Sequence, residues 1–235
     1  MDNGLILQLP KCNIIKPEVD FLGFTISKEG VRPIKRSVNV INKIPYPSTI
    51  KELRAILGKF NYYKHYIRNF ANIAAPLTNL LQGHDSKLKH TEMILDKGAR
   101  EAVDILKQKL ISAPILSIPD WYGEPFHLYT DSSSNAIGVV ITQEQNQTEK
   151  VLLFDSKKLN KAQMKYDINK KEMLALIFAL ERHKYLLWPR RFIFHTDNAA
   201  LSYIKSIKQT KGILARWIGI ISSYNFDAYH KAGKT

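Results

Sequence analysis

Two runs of strand-forming residues, FHLYTD at 126–131 and FIFHTD at 192–197, close on the same Thr-Asp pair. Between them, apolar residues at 173, 176, 177, 180 and 187 recur at helical spacing, which predicts one long helix from Asn169 to Leu187. Further strands are expected at 136–142, 151–155 and in the late YNFDAYH, with helices over AALSYIK and ILARWIGIISS. Strands alternating with helices restrict this half of the chain to an α/β architecture.

The preceding half has a different rhythm. FLGFTIS (21–27) reads as one strand that turns at Lys28-Glu29-Gly30 into Val31-Arg32-Pro33, a hairpin. Thr49-Ile50-Lys51-Glu52 has the form of a capping box, and Leu53, Ile56, Leu57, Phe60 and Tyr63 follow at helical spacing. GHDSKLKH (83–90) is polar and expected as loop, and a further helix should run from about Lys97 to Leu110. Two prolines and a glycine in SIPDWYGEP (117–125) place the main boundary there.

Three carboxylates fit a plain core poorly. On a strand, Asp131 shares a face with Tyr129 and His127, while Phe126, Leu128 and Thr130 face the other way. An aspartate there is either a turn residue or a group presented from the strand end. Asp197 stands in the same position on the second run. Glu172 lies in line with Leu176, Ala179 and Leu180, on the stripe that should be buried. Burying a lone carboxylate is costly without a cation or hydrogen bonds. A capping box from Asn169 is an equally good account of Glu172, and both can hold at once. Two strand-end aspartates and a helical glutamate converging at one sheet end would repel one another unless they held divalent cations such as Mg²⁺ or Mn²⁺.

The charge supplies a partner class. Of the 235 residues, 35 are Lys or Arg and 21 are Asp or Glu, a net charge of +14. The excess is even: 18 basic against 11 acidic residues up to Asp120, and 17 against 10 beyond it. A domain-wide basic excess suits a polyanion such as nucleic acid, where metal-assisted phosphodiester cleavage becomes possible. Cys12 is the only cysteine, which excludes an internal disulfide or a multi-cysteine zinc site. The start, MDNGLILQLPK, lacks a basic segment and a small-residue cleavage site, and no apolar run nears the ~20 residues of a membrane span. A non-secreted, intracellular protein is expected, with its compartment left open.

LYTDSSSNAIGVVITQ, YDINKKEMLALIFALERHKYLL, FIFHTDNAALSYI and ILARWIGIISSYNFDAYHKAGKT resemble, in order and spacing, the ribonuclease H domain of gypsy-type LTR retrotransposon polyproteins. KCNIIKPEVDFLGFTISKEGVRP is similar to the end of a reverse transcriptase palm, with Phe21, Leu22 and Gly23 matching its primer-grip hairpin. LRAILGKFNYYKHYIRNFANIAAPLTNLL resembles the thumb, and DILKQKLISAPILSIPD the bridge to the ribonuclease H domain. The implied fold is α/β: a ribonuclease H-like mixed sheet with flanking helices, preceded by a β-hairpin and a helical thumb. The implied division is 1–33, 34–118 and 119–235.

By the same resemblance, Asp131, Glu172 and Asp197 match three of the family's four metal-binding carboxylates, for two Mg²⁺ or Mn²⁺ ions. Phe21, Leu22, Gly23, Arg216 and His230 fall where nucleic acid would be contacted. The implied partners are an RNA–DNA hybrid or duplex and the upstream palm and fingers of the parent polyprotein. The implied reaction is hydrolysis of the hybrid's RNA strand. No Tyr-x-Asp-Asp polymerase motif occurs, so no primer extension is expected of these residues. The family's fourth carboxylate falls beyond Thr235, and weak cleavage by residues 1–235 alone is the expectation. A non-catalytic nucleic-acid-binding module and a scaffold using the thumb helices are the rival readings.

Overall fold

The computed structural model describes residues 12, 14–82, 92–198 and 212–230. The polar segment at 83–90 and the expected helix AALSYIK lie outside the described residues.

The N-terminal strand prediction needs correction. Instead of one strand over 21–27 there are two, β1 (Glu18–Phe21) and β2 (Phe24–Ser27), followed by β3 (Gly30–Pro33) in an antiparallel β1-β2-β3 sheet. Leu22 and Gly23 take positive φ, 47° and 84°, so the chain reverses and Phe21 pairs with Phe24. Two positive-φ residues make the turn whose twist matches that of hairpin strands. Leucine seldom takes this conformation. Here the Tyr62 hydroxyl donates to the Leu22 carbonyl and the Tyr63 hydroxyl to the Gly23 carbonyl at 3.3 Å, fixing the turn from outside.

Gly30 closes the next turn at φ +134°, and a Cβ on it would lie 2.2 Å from the Leu116 carbonyl oxygen. That close approach lets Val31 exchange two backbone hydrogen bonds with Leu116, of 2.8 and 2.9 Å. Gly30→Ala should therefore destabilise the chain by more than about 1 kcal/mol, read as a lower urea midpoint at unchanged slope. An unchanged midpoint would show that the 115–117 segment is not held here.

Helices α1 (Lys35–Asn42), α2 (Ile50–Tyr62), α3 (Phe70–Ile73), α4 (Ala75–Asn79) and α5 (Lys97–Ile111) pack around Leu53, Ile56, Phe60, Ile67, Leu77, Val103 and Leu106. The Thr49 hydroxyl caps α2 by accepting from Glu52 N–H. The Glu52 carboxylate closes the box one residue earlier than expected, on the N–H and hydroxyl of Ser48 at 2.8 and 3.0 Å.

The second half is built on a five-stranded sheet. Its strands are β4 (Phe126–Ser132), β5 (Ala136–Gln145), β6 (Thr148–Lys158), β7 (Phe192–Thr196) and β8 (Phe226–His230), ordered β6-β5-β4-β7-β8. The β4–β5 and β5–β6 pairs are antiparallel, and the β4–β7 and β7–β8 pairs are parallel. After the short α6 (Lys161–Met164), α7 (Ile168–Arg182) covers one face, where Phe126, Leu128, Phe192 and Phe194 are fully buried. The helix α9 (Ile213–Ser222) packs on α7, with Trp217 and Ile221 in the core.

Two expectations about α7 change. The helix is not one stripe: Leu174 and Ala175 are buried as well, because the sheet and α9 cover it from different sides. It also ends at Arg182, and α8 (Lys184–Leu187) is a separate turn. The break is at His183, drawn inward to 3.1 Å from the Asp155 carboxylate.

Asp155 joins the halves. Its side chain is fully buried on β6, with Lys64 Nζ at 3.1 Å and Arg182 Nε at 3.7 Å. Burial pushes its carboxyl up, but the His183 contact and the Lys64 charge outweigh this and hold it well below the usual carboxylate range. Nearby, His65 Nδ1 donates to the Phe154 carbonyl at 2.9 Å, and the Ser156 hydroxyl accepts from Ala71 N–H at 2.8 Å. Burial lowers the His65 pKa, more than the Phe154 carbonyl and Asp155 raise it, so the ring is neutral near pH 7. Among the described residues no helix is long and apolar enough to cross a membrane.

Candidate active site

The topology brings the two Thr-Asp ends together. β4 and β7 are parallel neighbours with Tyr129 opposite His195, and Asp131 and Asp197 each lie two residues farther on. Both follow the alternation that turns Phe126, Leu128, Phe192 and Phe194 inward, so they belong to the face opposite α7. Asp131 is exposed, and β4 runs one residue past it to Ser132. Asp197 follows the end of β7, where Asn198 N–H bonds the Thr196 hydroxyl at 3.1 Å and His230 Nε2 donates to the Asp197 carbonyl at 2.9 Å. The carboxyl ends of adjacent parallel strands, beside a strand of opposite direction, are where open α/β sheets place ligands.

Glu172 does not cap its own helix from Asn169. The N-cap is Asp167, which accepts from Lys170 N–H at 2.9 Å. Asn169 is used elsewhere, accepting from Asn198 Nδ2 at 2.6 Å and so tying the start of α7 to the end of β7. Glu172 is 4% exposed, and its Oε1 accepts from the Ser132 hydroxyl. Its Oε2 is buried with no hydrogen-bond partner. Burial pushes the Glu172 pKa up; the Ser132 hydroxyl works against this, and the charges of Asp197 and Asp131 add to the rise.

A cleft of about 590 Å³ opens at these strand ends, lined by Asp131, Asp197, Tyr129, His195, Glu149 and Arg68 among others. Glu172 lies behind this lining rather than in it. Among the described residues, no three His, Cys, Asp or Glu side chains stand close enough to form a finished metal site. The three predicted carboxylates thus share one electrostatic neighbourhood without converging on a point. Even so, the donors suit a hard divalent cation: two accessible carboxylates, and behind them a third with an unsatisfied oxygen and a raised pKa. Such a cation would relieve the cost of burying Glu172 ionised.

The rest of the cleft wall is occupied. Tyr129 donates to Glu149 at 2.8 Å, as does Thr142. Burial, then Glu149, pushes the Tyr129 hydroxyl up to about 12, so it is a donor and not a base near neutral pH. The Tyr129 and His195 rings stack with centroids 4.4 Å apart, and His127 Nδ1 lies 2.9 Å from His195 Nε2. A second cavity, of about 530 Å³, lies between α1 and α2, and none of its described lining residues is acidic.

Of the predicted nucleic-acid contacts, His230 adjoins this site and the others lie apart from the cleft lining. Phe21 and Leu22 are 59% and 70% exposed at the β1–β2 turn, beside Gly23. Arg216 is exposed on α9 while Trp217 beside it is buried. His230 is exposed but engaged at the Asp197 backbone. Sequence reasoning missed Arg68, Glu149 and Asp155. Only Asp155 left a local signal, a carboxylate ending the apolar run VLLF.

Comparison with known proteins decides the family. Residues 122–224 match the RNase H-like domain found in reverse transcriptase. They are an RNase H-like domain of that family. Over 99% of its length the chain is 32% identical to the Pol polyprotein from transposon opus and 34% identical to that from transposon 297. Over its whole length it is 30% identical to that from transposon gypsy; all three are from Drosophila melanogaster. The chain spans 24%, 21% and 23% of these polyproteins. The fold agrees with a foamy viral protease-reverse transcriptase solved with an RNA/DNA hybrid, at TM-score 0.77 and 20% identity over 98% of this chain and 32% of that one. It also agrees with the same enzyme solved with double-stranded DNA, at TM-score 0.78 and 20% identity over 97% and 47%. RNase H-like domains in general use divalent metals.

Proposed function

We propose that this RNase H-like domain hydrolyses the RNA strand of RNA–DNA hybrids within a reverse transcriptase polyprotein. The observation that carries the reading is the pairing of Asp131 and Asp197 at adjacent parallel strand ends, with the unsatisfied Glu172 behind them, inside the matched domain. Asp131, Glu172 and Asp197 would hold Mg²⁺ or Mn²⁺, two ions in the family's complete site. When bound, such ions activate water and stabilise charge on the departing 3′-oxygen.

The chain's own residues prepare that site. The sheet fixes Asp131 and Asp197 on one face, Ser132 orients Glu172, and His230 and Asn198 hold the backbone around Asp197. The basic surface then holds the hybrid through its phosphates, and recognition rests on backbone shape and 2′-hydroxyls, not base edges. Phe21, Leu22, Gly23 and Arg216 are proposed as outlying contacts to the same duplex.

A non-catalytic hybrid-binding module is the second reading, favoured by the set-back position of Glu172 and the lack of an assembled metal cluster among the described residues. Binding and cleavage separate the two. Residues 1–235 should bind a short hybrid with little sequence preference, and affinity should fall by roughly 10³-fold or more between about 50 and 200 mM salt if ~6 or more phosphates are engaged. Fluorescence anisotropy across a salt series reads this directly. Salt-independent binding, or none, would overturn the reading. Binding without Mg²⁺- or Mn²⁺-dependent cleavage, even when the family's fourth carboxylate is supplied beyond Thr235, would favour the second.

A further inference from the structure

Arg68 belongs to the helical half and lies outside the residues matched to the RNase H-like domain, yet it lines that domain's cleft. It is the only Lys or Arg among the described lining residues, facing Asp131, Asp197 and Glu149. It is exposed, and among the described residues no carboxylate lies within 4.0 Å of it. Among the described residues no ion pair therefore ties it to the cleft carboxylates.

Its backbone is held on both sides. Before it, Lys64 is bound to Asp155, His65 to the Phe154 carbonyl, and Ile67 is fully buried. After it, Asn69 takes a left-handed conformation, φ 61°, and Ala71 N–H bonds Ser156. Asn72 then accepts from Ser133, in the turn that follows Asp131, at 3.2 Å. A surface arginine needs no such framing to stay soluble. This one is carried on a segment fastened to β6 and to the β4–β5 turn, the two structures that flank the cleft.

We infer that Arg68 is a substrate-binding residue of the cleft, clamping one backbone phosphate of the nucleic acid that lies across Asp131 and Asp197. The inference rests on the proposed hybrid substrate and deepens it: the helical half supplies the cation that the acidic cleft lacks. A polyanion entering a cleft lined by three carboxylates needs compensating charge on the wall as well as at the strand ends. The planar guanidinium suits this because its fixed fork of N–H donors matches two phosphate oxygens at once, a geometry that a lysine ammonium does not preset.

The test uses the whole chain and measures binding, not turnover. Arg68→Ala should weaken binding of a short RNA–DNA hybrid on the order of tenfold at low salt. It should also reduce the slope of log affinity against log salt by about 0.9, one phosphate's worth. Arg68→Lys should keep the slope and lose part of the affinity. Scanning the hybrid with single neutral methylphosphonates should reveal one position that weakens the native chain but not Arg68→Ala. A purely structural role would not produce that position-specific loss. If the native chain binds the hybrid and Arg68→Ala keeps its affinity and slope, or stays sensitive at every position, this inference fails and the functional reading stands. If the native chain binds no hybrid, both fail.

Discussion

Replacing Asp131 with Asn should weaken Mn²⁺ binding at the cleft by at least the ~10–100-fold that loss of an outer-shell partner costs a metal site. Cleavage of hybrid RNA, measured with the family's fourth carboxylate supplied beyond Thr235, should fall by about 10²–10³-fold or more, the scale of losing one charge-stabilising group. The substitution keeps the shape and removes only the charge. Asp131 is exposed and makes no ion pair within 4.0 Å among the described residues, so stability should stay within about 0.5 kcal/mol. Hybrid affinity without metal should hold or rise slightly, because a repulsive charge leaves the cleft. Calorimetric Mn²⁺ titration and single-turnover cleavage on the same preparation read both effects. Unchanged metal affinity together with unchanged cleavage would remove Asp131 from the site and take the proposed chemistry with it.

How far these residues could be read beforehand depends on whether their partners are local. Asp131 and Asp197 were visible because each closes an apolar run, and alternation alone sets the face a strand residue takes. That their strands are parallel neighbours follows from the fold, which the resemblance supplied. Glu172 was visible as a misfit on a buried stripe, but its partner was not: two good caps, Asp167 and Asn169, stand two residues apart. The choice went to Asp167 because Asn198 engages Asn169 across the sheet end. The turn at Leu22-Gly23 was hidden for a similar reason. A leucine at positive φ is unfavourable on its own, and the hydroxyls that fix it arrive from Tyr62 and Tyr63 on another element. The break in the helix at His183 was hidden too, because Asp155 is the group that draws the ring inward.

Asp155→Asn should be the most destabilising of these substitutions, by roughly 3–5 kcal/mol, the cost of removing one partner from a buried ion pair. Asparagine fits the space, so the loss is electrostatic. Lys64, 18% exposed at its side chain, and the buried His183 would be left facing a neutral amide. Because the partners come from the 3₁₀ turn Lys64–Tyr66 and from the end of α7, the loss should fall on the coupling between the halves, not on either core. The three tryptophans, Trp121, Trp188 and Trp217, all lie in the second half. Tryptophan fluorescence therefore follows the RNase H-like domain while far-ultraviolet circular dichroism follows helices in both halves. In the native chain the two urea transitions should coincide; in Asp155→Asn they should separate, the signature of lost cooperativity. The pH dependence has a fixed sign. A carboxyl held below its unfolded value stabilises above about pH 4 and loses that contribution as pH falls toward its folded value. The stability gap between native chain and variant should accordingly be full near neutral pH and shrink on acidification below about pH 4. Coincident transitions in the variant at pH 7, or a gap that does not change with pH, would show that Asp155 is not what joins the helical half to the domain it serves.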